Sequence, residues 1–155
     1  MKIKHVWSVL CKESIINNDD NVISLLGVLE ELNTTITLMD SKHSRPEKIN
    51  IPINFEIVNY WVKELSEEVK MQIKTSTIDP DGKELNNVVS ESIFPQEVKR
   101  LRSRLKVQGL SVTKNGEYNF RISVKTDKEK DYKLVAELPL SVKIHMEEAK
   151  APAKS

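Results

Sequence analysis

Four basic side chains at alternate positions are the residues of this chain best suited to chemistry. In an extended strand, residues two apart project from one face at a spacing of about 6.6–6.8 Å. Guanidinium groups at that spacing suit phosphates or the carboxylates of an acidic partner. Two more basic residues on a later segment are expected to widen the patch. The candidate residues for binding an anion or a partner are therefore Arg100, Arg102, Arg104, Lys106, Arg121 and Lys125.

An ordinary solvent-facing strand is the competing interpretation of this basic row. Residues 1–69 hold 7 basic and 11 acidic residues, a net charge of −4, whereas residues 70–145 hold 15 and 10, a net charge of +5. Acidic cross-strand neighbours can neutralise such a row, and exposed strand positions are normally charged. No aromatic residue alternates with the row, although proteins that bind single-stranded nucleic acids stack bases on aromatic rings. We therefore expect a solvated face and keep nucleic acid as the alternative.

The acidic residues offer only part of a calcium site. Asp79 and Asp81 resemble the start of a calcium loop, but the twelfth position, where an EF-hand has glutamate, is Ser90. We expect these aspartates to form turns and leave a loop-built calcium site open. One cysteine and three scattered histidines are a poor supply of ligands for a transition metal. We expect no metal and no other cofactor.

No local motif of catalysis is present in the sequence. It contains no nucleophile elbow, phosphate-cradling loop, metal-ligand pair or dinucleotide fingerprint. Cys11 follows Leu10 in an apolar segment and is expected to be a small buried hydrophobe. A triad assembled only by folding is left open. We expect no catalytic residue and no enzymatic activity.

The elements that position these residues are predicted to be strands. The chain contains 15 Val and 14 Ile but only 4 Ala, a bias that favours a pleated sheet over helices. Alternation of apolar and polar residues recurs between turn signals, most clearly over residues 69–77, 118–125 and 134–144. We predict an all-β fold: a two-layer antiparallel β-sandwich of about seven to nine strands.

The remaining segments are assigned with the same rules. Residues 6–16 and 22–28 are predicted to form a hairpin, and Pro139 is expected at a sheet edge or a bulge. Residues 98–107 fit a helix or a strand, and strand is favoured. Trp61 is expected in the core, while Trp7 and Tyr60 suit either the core or a contact patch. Further strands are predicted at 30–39, at 52–62, where Pro52 is the first residue, and at 85–94, and a loop is predicted at 40–48. The whole is expected to form one domain at 1–146, followed by a disordered tail at 147–155.

Several features indicate the compartment. A single cysteine excludes an internal disulfide. The longest apolar runs fall far below the roughly 20 residues that span a bilayer. The apolar run after Lys2 and Lys4 ends at Lys12, too early for a secretory signal. We expect a cytoplasmic protein that does not enter a membrane.

The sequence contains a succession of turn and strand segments at residues 10–13, 21–28, 79–83, 109–110, 116–122 and 137–142. Their order along the chain resembles an uncharacterised family of small bacterial β-sandwich domains. The similarity extends over roughly residues 5–145, and a Pro-Asp-Gly turn followed by Gly-Glu-Tyr is also common in immunoglobulin-like sandwiches. The resemblance implies an immunoglobulin-like or C2-like architecture and transfers no activity, cofactor or catalytic residue.

These observations together predict a non-enzymatic protein-interaction or structural module. We expect an unidentified protein partner, recognised through an exposed apolar patch or an open sheet edge. The alternative is binding of an anion or nucleic acid through the basic strand face.

Overall fold

The computed structural model describes residues 2–38, 47–64 and 66–148, which form nine strands joined by turns. Within these ranges no helix is long and apolar enough to cross a membrane. All nine elements of the described residues are strands, which confirms the all-β prediction. The strands are β1 (Ile3–Ile16), β2 (Ile23–Val28), β3 (Glu31–Leu38), β4 (Ile49–Lys63), β5 (Val69–Ile78), β6 (Glu84–Phe94), β7 (Arg100–Val112), β8 (Gly116–Thr126) and β9 (Lys133–Glu148).

The strands form two sheets, one of order β2-β1-β4-β7 and one of order β3-β9-β8-β5-β6. Neighbouring strands are antiparallel, including the predicted β1–β2 hairpin, except that β3 and β9 are parallel. The prediction of a purely antiparallel fold is wrong for this pair. Side chains alternate between the two faces in parallel and antiparallel strands alike, so the alternation in the sequence does not show the direction of β3 relative to β9. That direction depends on how the chain connects the strands.

One apolar core lies between the sheets and takes side chains from both. Phe55 of β4 meets Phe120 of β8 edge-to-face, with ring centroids 5.6 Å apart. Trp61 is fully buried in this cluster, as predicted. The predicted alternation is also confirmed in β8, whose even-numbered residues from Tyr118 to Val124 are buried.

The strand β4 begins earlier than predicted, at Ile49 rather than at Pro52. Pro52 and Ile53 lie in a register shift opposite the single residue Gly109 of β7. Gly109 has a φ of 78°, and a Cβ there would lie 3.0 Å from Asn50 Oδ1. The bulge therefore accommodates a proline, which has no N–H for the ladder, and requires a glycine opposite it.

Two further predictions concern β7 and β9. Residues 100–112 form a strand, so the helical alternative for this segment is wrong. Pro139 lies neither in an edge strand nor at a register shift. Ser141 N donates to Glu30 O, just before the first residue of β3. The main-chain nitrogens of residues two apart in a strand point to the same side, so the Pro139 nitrogen also points toward β3, but at a level that precedes the start of that strand. The strand β9 runs to Glu148, two residues past the predicted end of the domain. The rest of the predicted tail, residue 39 of the predicted strand 30–39 and residues 40–46 of the predicted loop lie outside the described residues.

Candidate functional site

The strand β7 forms one edge of the four-stranded sheet. It pairs with β4 on one side, and among the described residues no strand pairs with it on the other. Lys63 N donates to Lys99 O at 2.9 Å, and the register then runs unbroken from Arg100 to Gln108. Residues alternate between pointing toward and away from a partner strand. The main-chain N–H and C=O groups that point to the free side therefore include those of Arg100, Arg102, Arg104 and Lys106.

The side chains of these same four residues share the outer face of the sheet, as the two-residue spacing predicted. The intervening side chains face the inside and are half-buried, among them Leu101, Leu105 and Val107. One segment thus presents a basic row, a set of unpaired main-chain groups and an apolar inner row. We call it the β7 edge.

A groove separates the inner side of the β7 edge from the second sheet. It consists of two adjoining hollows of about 450 and about 300 Å³, which share Thr75 and Leu105 as lining residues. The opposite wall comes from β5 and β6 and includes Val88, whose side chain remains half exposed, and Ser90. The edges of the two sheets therefore stand apart here rather than closing over the core.

The β1–β2 hairpin holds the centre of the basic row. Arg102 donates through Nη2 to Asn21 O at 2.8 Å and through Nη1 to Asn21 Oδ1 at 3.3 Å. Arg104 Nη1 contacts Ser14 O at 3.5 Å. Because β4 lies between β1 and β7 in the sheet, the hairpin must cross the outer face of β4. Val58, on that face, is completely buried.

One acidic residue lies beside the basic row. Glu56 is buried, opposes Lys106 in the register and accepts a hydrogen bond from Ser14 Oγ at 2.5 Å. Cys11 pairs with Glu56 from the other side and is fully buried, as predicted. Burial, and then the negative charge of Glu56, raises the pKa of the Cys11 thiol. The thiol therefore stays protonated and is a poor nucleophile.

Arg121 and Lys125 do not widen this patch, contrary to the prediction. They lie on β8 in the second sheet, whose outer face points away from the outer face of the first. Arg121 Nε is paired with Glu137 Oε1 at 2.7 Å. Lys125 Nζ lies 4.8 Å from the centre of the Tyr132 ring. Both side chains are engaged with local partners on the opposite side of the molecule.

Two aromatic residues, Tyr60 and Trp7, lie next to the basic row in the folded protein. Tyr60 of β4 opposes Arg102, and Trp7 of β1 opposes Tyr60 on the same outer face. Their rings are 5.5 Å apart and both side chains are half-buried. The sequence could not show this, because the three residues belong to three different strands. The expectation of a basic face without aromatic neighbours is wrong.

A hydrogen-bond network of polar side chains, which no sequence pattern indicated, lies beside the groove and includes Asn59 and Ser103 of its lining. Ser8 Oγ donates to Asn59 Oδ1 at 2.6 Å, and Ser103 Oγ accepts from Asn59 Nδ2 and Trp61 Nε1. His5 Nε2 lies 2.7 Å from Ser8 Oγ. Because the one hydroxyl proton of Ser8 goes to Asn59, His5 must donate here and does not act as the base of Ser8. The arrangement orders the interior and activates no nucleophile.

The half-buried imidazole of His5 predicts a pH dependence of the free energy of unfolding. Burial lowers the pKa of His5 below its usual value. The unfolded chain therefore binds the proton more readily than the folded chain, and the free energy of unfolding falls as pH drops through about 6.5. Urea titrations at pH 7.5 and 5.5 should show this loss, and the His5→Asn variant should show less of it. An identical loss in both proteins contradicts the assignment to His5.

The loop aspartates have structural partners. Asp79 Oδ1 accepts the N–H groups of Asp81 and Lys83, and Gly82 N donates to Asp79 O. Asp81 Oδ1 lies 2.5 Å from Lys114 Nζ. These contacts suit the turn-forming role that the sequence predicted. Across the described ranges, no three His, Cys, Asp or Glu side chains come together as metal ligands, whereas His43 and Asp40 lie outside those ranges.

A comparison with models of protein families found none that matches the chain, and a comparison with curated proteins found no match.

Proposed function

We propose that this chain is a non-enzymatic protein-interaction module that binds an extended segment of its partner at the β7 edge. The supporting observation is the free side of a 13-residue strand, along which the main-chain groups of Arg100, Arg102, Arg104 and Lys106 have no described partner strand. Soluble domains normally cover or shorten such an edge because it templates the addition of another strand. Strand addition is a common way for domains to bind extended peptides.

The proposal includes an immunoglobulin-like sandwich as the scaffold. In that fold, strands A, B, E and D form one sheet and G, F, C and C′ the other. The orders β1-β4-β7 and β9-β8-β5-β6 correspond to A-B-E and G-F-C-C′. Tyr118 near the start of β8 hydrogen-bonds through its hydroxyl to the main chain of Thr113 and Lys114, as in a tyrosine corner. In this correspondence the β7 edge is where strand D would pair.

The proposal also places the protein in the cytoplasm of a bacterium. An unpaired, buried Cys11 suits a reducing compartment. The bacterial origin is supported by the resemblance to bacterial β-sandwich domains.

A pair of substitutions at Lys106 tests strand addition. Lys106→Pro removes a main-chain donor that points to the free side and leaves the hydrogen bonds to β4 in place. Lys106→Gln removes the same charge and keeps the donor. Immobilised Lys106→Gln should still retain polypeptides from a cell extract, and Lys106→Pro should retain at least about fivefold less of them than Lys106→Gln does, the equivalent of one lost hydrogen bond. Equal retention by both variants would rule out pairing at this edge.

A second candidate function is binding of single-stranded nucleic acid on the outer face of the first sheet. The observation that favours it is the row formed by Arg102, Tyr60 and Trp7. A fluorescent oligothymidine should then bind at 50 mM salt, weaken steeply as salt is added and lose at least about fivefold in affinity in Tyr60→Ala, since stacking contributes about 1–3 kcal/mol per base. No binding at 50 mM salt excludes this function.

A further inference from the structure

We propose that the segment taken up by the β7 edge is about seven residues long and alternates acidic with small apolar side chains. This inference rests on the proposed function and specifies its ligand. The four basic residues with free main-chain groups span six steps along the strand, or about 20 Å. An extended segment of about seven residues matches that length.

The acidic half of the pattern follows from the residues that point to the free edge. The main-chain groups available for pairing belong to Arg100, Arg102, Arg104 and Lys106, whose side chains lie on the outer face. A residue of the added strand that pairs with one of them places its own side chain on that face, about 5 Å away. Opposite charges in such pairs are stabilising and like charges are destabilising. Carboxylates are therefore favoured at every second position.

The apolar half of the pattern follows from the groove. The other side chains of an added strand would point inward, between Leu105 and Val107 of β7 and Val88 and Thr75 of the second sheet. The hollow of about 450 Å³ lies open at this place, and the Val88 side chain is 49% exposed. Small branched residues would fill it and cover these apolar groups.

Neither a second copy nor the undescribed segments of this chain fit the edge as well. Symmetric antiparallel pairing of two β7 strands would bring the two basic rows together on one face, which is unfavourable. Residues 39–46 contain one acidic and two basic residues, and residues 149–155 contain two basic residues and no acidic one. An acidic strand from another protein complements the charge better than either.

Binding of synthetic peptides to the full chain tests the pattern. The probe is a fluorescein-labelled nine-residue peptide in which valine alternates with glutamate. One control has the same composition with its four glutamates grouped together, and another has lysine in place of glutamate. Wild type should bind the alternating glutamate peptide at least about tenfold more tightly than either control. The double variant Arg100→Glu/Lys106→Glu should reverse the preference between the glutamate and lysine peptides, a gain that a misfolded protein cannot show.

Each other outcome overturns the inference in a recognisable way. Equal binding of the alternating and grouped glutamate peptides would mean that charge alone acts and that no strand is added. An unlabelled nine-nucleotide oligothymidine that displaces the peptide and binds more tightly would assign the basic row to nucleic acid. If Lys106→Pro loses polypeptides from the extract but the glutamate peptide does not bind, strand addition stands and the side-chain pattern is wrong. Equal retention by Lys106→Pro and Lys106→Gln would instead remove the proposed function itself.

Discussion

Replacement of Lys63 by methionine is expected to lower the free energy of unfolding by about 3 kcal/mol. The Lys63 side chain is 1% exposed, and its ammonium group donates to Glu67 O at 2.6 Å, Pro95 O at 2.5 Å and Gln96 O at 3.3 Å. It also lies 5.0 Å from the centre of the Phe94 ring. Methionine keeps the volume of the side chain but removes the charged donor that three carbonyl groups share, and Pro95 O then keeps only the N–H of Val98, at 3.2 Å. Hydrogen bonds to a charged group contribute about 1.5–3 kcal/mol, so their loss is costly.

The matched control for this substitution is Lys70→Met. Lys70 is an exposed lysine on β5, and its replacement should change the free energy of unfolding by no more than about 0.5 kcal/mol. Urea denaturation of both variants, followed by tryptophan fluorescence, measures the two effects on one scale. Equal midpoints for the two variants would show that the ammonium contacts of Lys63 do not stabilise the fold.

Replacement of Tyr118 by phenylalanine is expected to cost about 2 kcal/mol. The Tyr118 hydroxyl accepts the N–H of Thr113 at 2.9 Å and that of Lys114 at 3.2 Å, and donates to Lys114 O at 2.7 Å. The ring is fully buried and remains in place in the variant. The loss would therefore measure how strongly one hydroxyl holds the turn between β7 and β8.

Tyr132→Phe is the control for the hydroxyl. Within the described ranges the Tyr132 hydroxyl makes one hydrogen bond, to Gln72 Oε1 at 2.8 Å, and the residue is half-buried on the outer face of the second sheet. Water can replace that bond, so we expect a loss below about 1 kcal/mol. If the two variants unfold at the same urea concentration, the turn does not depend on the Tyr118 hydroxyl.

The strands and their inward-facing residues were predictable because both follow from local alternation. The rhythm of residues 118–125 indicated the buried side of β8, and the spacing of the four basic residues on β7 indicated that they share a face. The three carbonyl groups around Lys63 were not predictable, since they come from positions 4, 32 and 33 residues farther along the chain. The same holds for Tyr60 and Trp7 beside Arg102, because strand neighbours are decided by pairing between distant segments.

By itself, the sequence determined that this protein is built from strands and which side chains β5, β8 and the second half of β9 turn inward, because a pleated strand exposes alternate residues whatever its neighbours are. The tertiary structure alone decided that β7 lies at an edge, that the β1–β2 hairpin crosses to Arg102, and that Arg121 lies on the opposite side. The physical reason is that strand order and sheet membership depend on contacts between residues far apart in the chain, and no local pattern carries that information.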